Sequence, residues 1–285
     1  DLLIGVLKKE NKLPDKKIVR NHFYRTFETS IRDLAIEKLM KYHSNKNILL
    51  LDISKAFDNV SWKVIKSLLF KSLSRKINKK FAHKMTKQYL FLISNRVIKY
   101  KNKKINFYKS LATGLPSSTI VFSLLMEQII YEWNISHKFS KEVIINTYVD
   151  DIFIEFLKTK NCQKITNSLI KQFEKYNFVI NKEKTKTNCQ LLNYSKINSF
   201  DCYSGMPFAK DRNTYIKVCL DLFQKRYYSI TTNEIIKFLL IDKHNSVKNH
   251  ITGFFNYKLY GLKVFDEKEI NLLNIFLNYN RQIQT

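Results

Sequence analysis

The sequence predicts an α+β fold, and three observations carry that expectation. Glycine and proline are scarce, 5 and 3 among 285 residues, which disfavours a sandwich or repeat built on tight turns. Hydrophobic residues make up 45% and aromatics 14%, enough to fill a substantial core. Stretches of helical and strand periodicity follow one another without the regular βαβ alternation of a parallel sheet.

An early helix is expected from the spacing of Ile31, Leu34, Ala35, Leu39 and Met40, with cations along its other face. NILLLD, ending in Asp52, is a short apolar run bounded by polar residues and reads as a buried strand before the turn-prone SKAFDN. Helical period returns over residues 60–70. A basic stretch, KSLSRKINKKFAHK, and an aromatic-rich YLFLI come next, then an alternating VIKYKNKKINFYKS that predicts a hairpin with one solvated basic face. After TGLPSS, a helix is expected from about Thr119 to Asn134. EVIINTY and IFIEF flank VDD, predicting a β-hairpin with Asp150 and Asp151 at its tip. A helix over 161–176, an extended NFVINKEKTKT, a short SFDCYSGMPF hairpin and a mostly helical remainder from about Asn213, punctuated by Gly253 and Gly261, complete the chain.

Lys and Arg number 50 against 24 Asp and Glu, a formal net charge of +26. That balance favours polyanionic partners. Heavy use of Lys, Asn and Ile is equally what nucleotide bias in a genome produces, so charge alone does not establish nucleic-acid binding. Cys162, Cys189, Cys202 and Cys219 are widely spaced and fit neither a zinc site nor a disulfide framework, so free thiols and an intracellular location are expected. The apolar runs are too short for a signal peptide or a membrane span, and no membrane partner is expected. A first residue of Asp1 in place of Met suggests a piece of a longer chain with flanking domains outside it.

Three carboxylates sit where an apolar strand runs straight into them: Asp52 after NILLL, and Asp150 and Asp151 after NTYV. A carboxylate at the end of a buried strand is unfavourable unless paired or bound to a cation. Hard carboxylate oxygens suit Mg²⁺ or Mn²⁺, and two such ions about 3.5–4 Å apart clamp the attacking and leaving oxygens of an in-line phosphoryl displacement. Each Asp alone is better explained as a turn residue or the partner of one of many cations. The surroundings change that balance: Asp52 is followed by ISKAFD, Asp150 and Asp151 by contrast are preceded by Tyr148 and Val149, and TGLP lies between the two sites.

In this order and spacing, LLLDISKAFDNVSW resembles the first palm motif of reverse transcriptases, TGLPSSTIVFSLLMEQI the second, YVDD the third and NFVINKEKTKT the fourth, over roughly residues 47–187. AFD makes the resemblance closer to enzymes of the group II intron and non-LTR kind than to retroviral ones. The resemblance implies a right-hand polymerase: partial fingers over 1–46, a palm of antiparallel sheet plus helices over 47–205 with a fingers insertion around 71–110, and a helical thumb over 206–285. It implies Asp52, Asp150 and Asp151 as carboxylates holding two Mg²⁺ or Mn²⁺ ions, with the Ile53 carbonyl also near a metal. Phe57, beside Ala56, falls where the family carries an aromatic gate against a ribose 2′-hydroxyl. Lys184 matches the family's lysine near the incoming triphosphate, a proton donor to pyrophosphate. Pro116 and Ser117 lie beside the nucleotide. Tyr148 and the SFDCYSGM hairpin, with Tyr203 and Gly205 in a primer-grip position, face primer and template. Lys17, Arg20 and Arg25 lie where the fingers supply cations to phosphates, although a solvated basic face explains them equally well. HITGFFNYKLYGL suits a thumb helix along the duplex or plain helix packing.

The implied activity is RNA-directed DNA synthesis from dNTPs on a DNA or RNA primer and an RNA template. The second motif departs from the family's Leu-Pro-Gln-Gly, carrying Ser117 and Ser118 after Leu115-Pro116. Three alternatives stay open: a viral-type RNA-dependent RNA polymerase, against which Phe57 argues; a template-independent relative; and a silent palm serving as a nucleic-acid-binding scaffold.

Overall fold

The computed structural model describes residues 19–21, 31–95, 97–100, 103–106, 110–111 and 116–232. The chain forms two compact units, one of residues 1–29 and 46–196, the other of 30–45 and 197–285.

The first unit is built on a six-stranded mixed sheet. Its strands are β1 (Val19–Asn21), β2 (Asn47–Leu51), β5 (Val143–Tyr148), β6 (Asp151–Phe156), β7 (Lys186–Thr187) and β8 (Ser195–Lys196), in spatial order β1-β5-β6-β2-β7-β8. The pairings β5–β6, β6–β2 and β2–β7 are antiparallel, whereas β1–β5 and β7–β8 at the two edges are parallel. The expected antiparallel sheet is therefore its centre. The two parallel edge strands escape sequence reading because three and two residues are too few to show an alternation. A separate hairpin pairs β3 (Val97–Tyr100) with β4 (Lys103–Asn106), within the stretch where alternation predicts one.

Helices cover the sheet. The helix expected over 60–70 is α2 (Trp62–Ser74), capped by Ser61, whose hydroxyl accepts the Val64 N–H at 3.3 Å. The basic stretch after it is no loop: it holds the end of α2 and the start of α3 (Lys79–Ser94), whose first turn is capped by Asn78 accepting the Lys80 N–H at 2.8 Å. Only Ala82, Thr86 and Ile93 of α3 are buried, so its apolar stripe is too thin to stand out among lysines.

The central helix α4 runs from Pro116 to His137, longer at both ends than its apolar run suggests. Pro116 begins it, where a missing N–H is no loss. Every residue from Ile120 to Ile130 is buried, as a helix packed on several sides requires. Its buried Glu127 accepts from Arg75 at 3.0 Å and Lys76 at 2.8 Å, and Glu132 accepts from Lys71 at 2.9 Å and from the Tyr176 hydroxyl. These pairs tie α2 and the end of α5 (Cys162–Glu174) to the core helix.

The second unit contains α1 (Ile31–His43), the hairpin β9 (Cys202–Tyr203) with β10 (Met206–Pro207), and α6 (Arg212–Thr232). Tyr42 stands edge-on to Phe208 at 5.3 Å between ring centroids. Ala35 and Leu39 of the expected stripe are buried, but Met40 is 54% exposed, since it lies one position past the face that Leu39 occupies. Asp211 caps α6 by accepting the Thr214 N–H at 2.9 Å. Gly253, Gly261 and the HITGFFNYKLYGL segment lie outside the described residues.

Candidate active site

The three aspartates reach one end of the sheet by register. Leu51 of β2 pairs with Ile152 of β6, so one step further Asp52 stands opposite Asp151. Tyr148 pairs with Asp151 across the β5–β6 hairpin. The tip is therefore Val149-Asp150, and the expectation of both aspartates at the tip is corrected: Asp151 is already the first residue of β6. A two-residue turn must bend backwards to suit the twist of its strands, and Val149 does so at φ 57°, an unfavourable conformation for a β-branched residue. That backbone strain sits immediately beside Asp150.

Asp52 is half-buried, whereas Asp150 and Asp151 are exposed, because the sheet end opens to solvent beyond β2. The unfavourable burial inferred from sequence thus applies to Asp52 alone. Burial holds the Asp52 carboxyl above the usual carboxylate range; the Asp150 charge adds to that, and the Lys184 ammonium and an Asn181 side-chain hydrogen bond pull against it. The carboxylate acting on Asp52 is therefore that of the turn residue. Asp151 acts on Tyr148, whose phenol is raised by burial first and by that charge second.

The fourth motif folds back onto this point. The Asn181 N–H donates to the Asp52 carbonyl at 2.9 Å, and the Ser54 N–H to the Val179 carbonyl at 2.8 Å. These two bonds flank the Ile53–Ile180 bridge, so the Ile53 N–H and C=O point away from residues 179–181. The Asp52 N–H donates to the Thr185 hydroxyl at 3.3 Å, and that hydroxyl donates to the Asn181 carbonyl at 2.8 Å. The Asn181 side-chain oxygen accepts the Lys184 N–H at 3.2 Å. Asn181 and Thr185 were not singled out from the sequence. Their signal was present in NKEKT, where positions four apart close one turn, but only Lys184 invited a chemical role.

Phe57 is half-buried and stacked on Phe122 of α4, with ring centroids 4.7 Å apart and planes at 20°. Ala56 is buried beside it in sequence, and Lys55 turns the chain at φ 46°. Ser117 is exposed in the first turn of α4, and Ser118 is buried with no partner for its hydroxyl among the described residues. In the second unit Tyr203 is buried, and Ser204 and Gly205 form the turn of its hairpin with φ of 48° and 80°. Arg20 lies in β1 opposite Asn146, while Lys17 and Arg25 fall outside the described residues.

Among the described residues no group of three or more His, Cys, Asp or Glu side chains is arranged to hold a metal ion. Asp52 and Asp150 are the pair that interact, and their chemistry fits a hard divalent cation: all-oxygen donors, with one carboxyl destabilised by its neighbour's like charge. A family model described as "Reverse transcriptase (RNA-dependent DNA polymerase)" matches residues 3–252. The chain belongs to the reverse transcriptase family. Solved structures similar to this reverse transcriptase domain include a telomerase from Candida tropicalis in complex with the TWJ fragment of telomeric RNA, at 14% identity over 91% of this chain and 45% of that one, with a TM-score of 0.50. The apo telomerase of that organism matches at 13% identity over 77% of this chain and 44% of that one, TM-score 0.42. A form truncated from its C-terminal domain matches at 15% over 64% and 39%, TM-score 0.39. At such identities the likeness is one of fold, and that to the RNA-bound telomerase supports a palm-type right-hand architecture for the reverse transcriptase domain. The chain spans less than half the length of each of these structures. A search of the curated proteins finds no match. No helix among the described residues is long and apolar enough to cross a membrane.

Proposed function

We propose that this reverse transcriptase domain is an RNA-directed DNA polymerase of the retroelement type, adding dNTPs to the 3′-hydroxyl of a DNA or RNA primer on an RNA template. The observation that carries the proposal is the strand register that sets Asp52 opposite Asp151 beside the Val149–Asp150 turn, with the fourth motif bonded to Asp52 through Asn181 and Thr185. Asp52 and Asp150 are the principal metal-holding pair, with Asp151 as third carboxylate and the Ile53 carbonyl as a further oxygen. Mg²⁺ or Mn²⁺ held there, two ions in the full site, would supply charge stabilisation for the phosphate oxygens during displacement.

The chain's own residues account for the remainder. The primer hydroxyl loses its proton to solvent as it attacks the α-phosphate, the bond to the β-phosphate breaks, and Lys184 gives a proton to the departing pyrophosphate. Asn181 holds the Lys184 main chain with its side-chain oxygen and the Asp52 main chain with its own N–H. Phe57, held flat against Phe122 and next to Ala56, walls the sugar and rejects a 2′-hydroxyl. Pro116 and Ser117 start α4 where its free N–H groups favour phosphate. Tyr148 and the exposed turn at Gly205 contact primer and template, with the buried Tyr203 fixing that turn from beneath, and Lys17, Arg20 and Arg25 draw in the triphosphate.

The test is dNTP incorporation on a primed RNA template with Mg²⁺ or Mn²⁺, comparing wild type with Asp150→Asn and including template-free and rNTP controls. RNA-templated synthesis lost in the variant supports the proposal. Product without template shifts the assignment to untemplated extension, rNTP preference to an RNA polymerase, and binding without synthesis to a scaffold.

A further inference from the structure

The α2–α3 helical hairpin carries an unbalanced charge far above that of the chain. From Trp62 to Ser94 there are nine Lys and Arg and no Asp or Glu, against 50 and 24 over the whole sequence. Compositional bias that enriches lysine does not by itself remove every acid from 33 consecutive residues. Lys71 is paired with Glu132 of α4, and Arg75 and Lys76 share Glu127. Lys63, Lys66, Lys79, Lys80, Lys84 and Lys87 are exposed and have no carboxylate partner among the described residues.

These lysines do not point in all directions. Lys63, Lys66, Ser67 and Phe70 fall at i, i+3, i+4 and i+7 on α2, and Lys80, His83, Lys84 and Lys87 occupy one face of α3. They line two open depressions, one of about 640 Å³ bordered by Lys80, Phe81, Lys84 and Lys87, the other of about 290 Å³ bordered by Lys63, Lys66 and Phe70. His83 and Lys87 border both, so the depressions join into one groove. Aromatic rings sit among the cations: Phe81 is 39% exposed, and Phe70 meets His83 edge-on at 5.9 Å. The row Lys80 to Lys87 rises about 10 Å along its helix, a span that meets several backbone phosphates of a nucleic acid.

We infer that this groove is a second nucleic-acid grip, on the face of the α2–α3 hairpin and separate from the Asp52 site, which holds the phosphodiester backbone without reading sequence. Unpaired lysines act as point charges that release counterions, and the aromatic rings offer stacking surface to unpaired bases. That the polyanion is a nucleic acid rests on the polymerase assignment above; the groove and its charge do not.

The experiment is fluorescence anisotropy with end-labelled oligonucleotides of equal length, as single-stranded RNA, RNA duplex and DNA duplex, titrated at several salt concentrations. Wild type is compared with a groove variant, Lys80→Ala/Lys84→Ala/Lys87→Ala, and a control of equal charge loss on α5 and its end, Lys164→Ala/Lys171→Ala/Lys175→Ala, with circular dichroism verifying the fold of each. The groove variant is expected to bind about 10- to 100-fold more weakly near 0.1 M salt and to lose about two to three units of the slope of log K against log salt. The control is expected to keep both values near wild type. The relative losses on RNA and DNA identify which backbone the groove holds. Equal behaviour of groove and control variants overturns the inference and leaves an acidic protein as the partner to seek. The two proposals fail separately: a groove effect on binding with no synthesis by wild type refutes only the polymerase assignment, whereas synthesis that Asp150→Asn abolishes, with groove and control variants binding alike, refutes only the groove.

Discussion

Asn181 holds Asp52 through its main-chain N–H, which donates to the Asp52 carbonyl at 2.9 Å, and its side-chain amide acts on the Asp52 carboxyl. The same side chain accepts the Lys184 N–H, so one residue sets the relative position of a proposed metal ligand and a proposed proton donor. That amide favours the ionised carboxyl against the effects of burial and Asp150.

Removing that amide in Asn181→Ala therefore raises the Asp52 carboxyl further. The acid limb of the rate–pH profile is expected to move to higher pH, with a loss of about tenfold at the acidic end that narrows as pH rises. Profiles of wild type and variant that run parallel would show that Asn181 shapes the loop and does nothing to the carboxyl.

Asp52 itself opposes folding when ionised. Its carboxyl lies higher in the folded chain than in the unfolded one, so the unfavourable contribution is absent below the unfolded carboxylate range near pH 4, grows as pH rises through the folded value, and is fully present above it. Asp52→Asn is expected to raise Tm at pH 7 by about 1–3 °C, a small shift because solvent screens the partly exposed group, and to lose that advantage below about pH 4. Mg²⁺ is expected to raise the Tm of wild type more than that of the variant. Differential scanning fluorimetry measures all three; an unstabilised Asp52→Asn protein at pH 7 contradicts the argument.

The stack of Phe57 on Phe122 gives the proposed gate a rigid backing. Phe57→Ala is expected to reduce discrimination against rNTPs by about 10- to 100-fold, judged by the ratio of kcat/KM values for matched dNTP and rNTP. It is also expected to destabilise the fold by about 1–3 kcal/mol through lost packing. Destabilisation with an unchanged ratio would mark Phe57 as a packing residue only.

Glu127 holds two cations at the heart of the first unit, and Lys76 is nearly as buried as its partner, at 6% and 4% exposure. Arg75 retains the Tyr131 ring, 3.6 Å from its guanidinium carbon, when the carboxylate is lost, but Lys76 has no such substitute contact among the described residues. Urea denaturation of Glu127→Gln should show a loss of about 3–5 kcal/mol, the penalty of an uncompensated buried charge. The pair Glu127→Met with Lys76→Met is expected to recover most of it. Equal destabilisation of single and double variants would mean that the carboxylate matters for shape and not for charge.

The α+β class, the central strand NILLL, the VIINTY–DIFIEF hairpin and the core helix after TGLP were legible because burial imposes a period on neighbouring side chains. Helix α3 was not, since only Ala82, Thr86 and Ile93 face the core and lysines fill the rest. The edge strands were not, because a two- or three-residue strand exists only through its pairing. Within the site, Asp52, Asp150, Asp151 and Lys184 stood out by residue type and motif order, while the tip of the hairpin shifted by one residue to Val149-Asp150 because register is decided by the partner strand.

By itself the sequence determined which groups are available: carboxylates at the ends of apolar runs, a lysine in a basic turn, an acid-free basic stretch and the family they belong to. Tertiary structure alone decided which of them meet. Asp52 and Thr185 are 133 positions apart and are brought within a hydrogen bond only when β7 pairs with β2, and the lysines of α2 and α3 share a groove only when the two helices fold together. Charge and chemistry are properties of single residues, but a raised carboxyl or a basic groove is a property of distance, and distance between remote residues comes from packing.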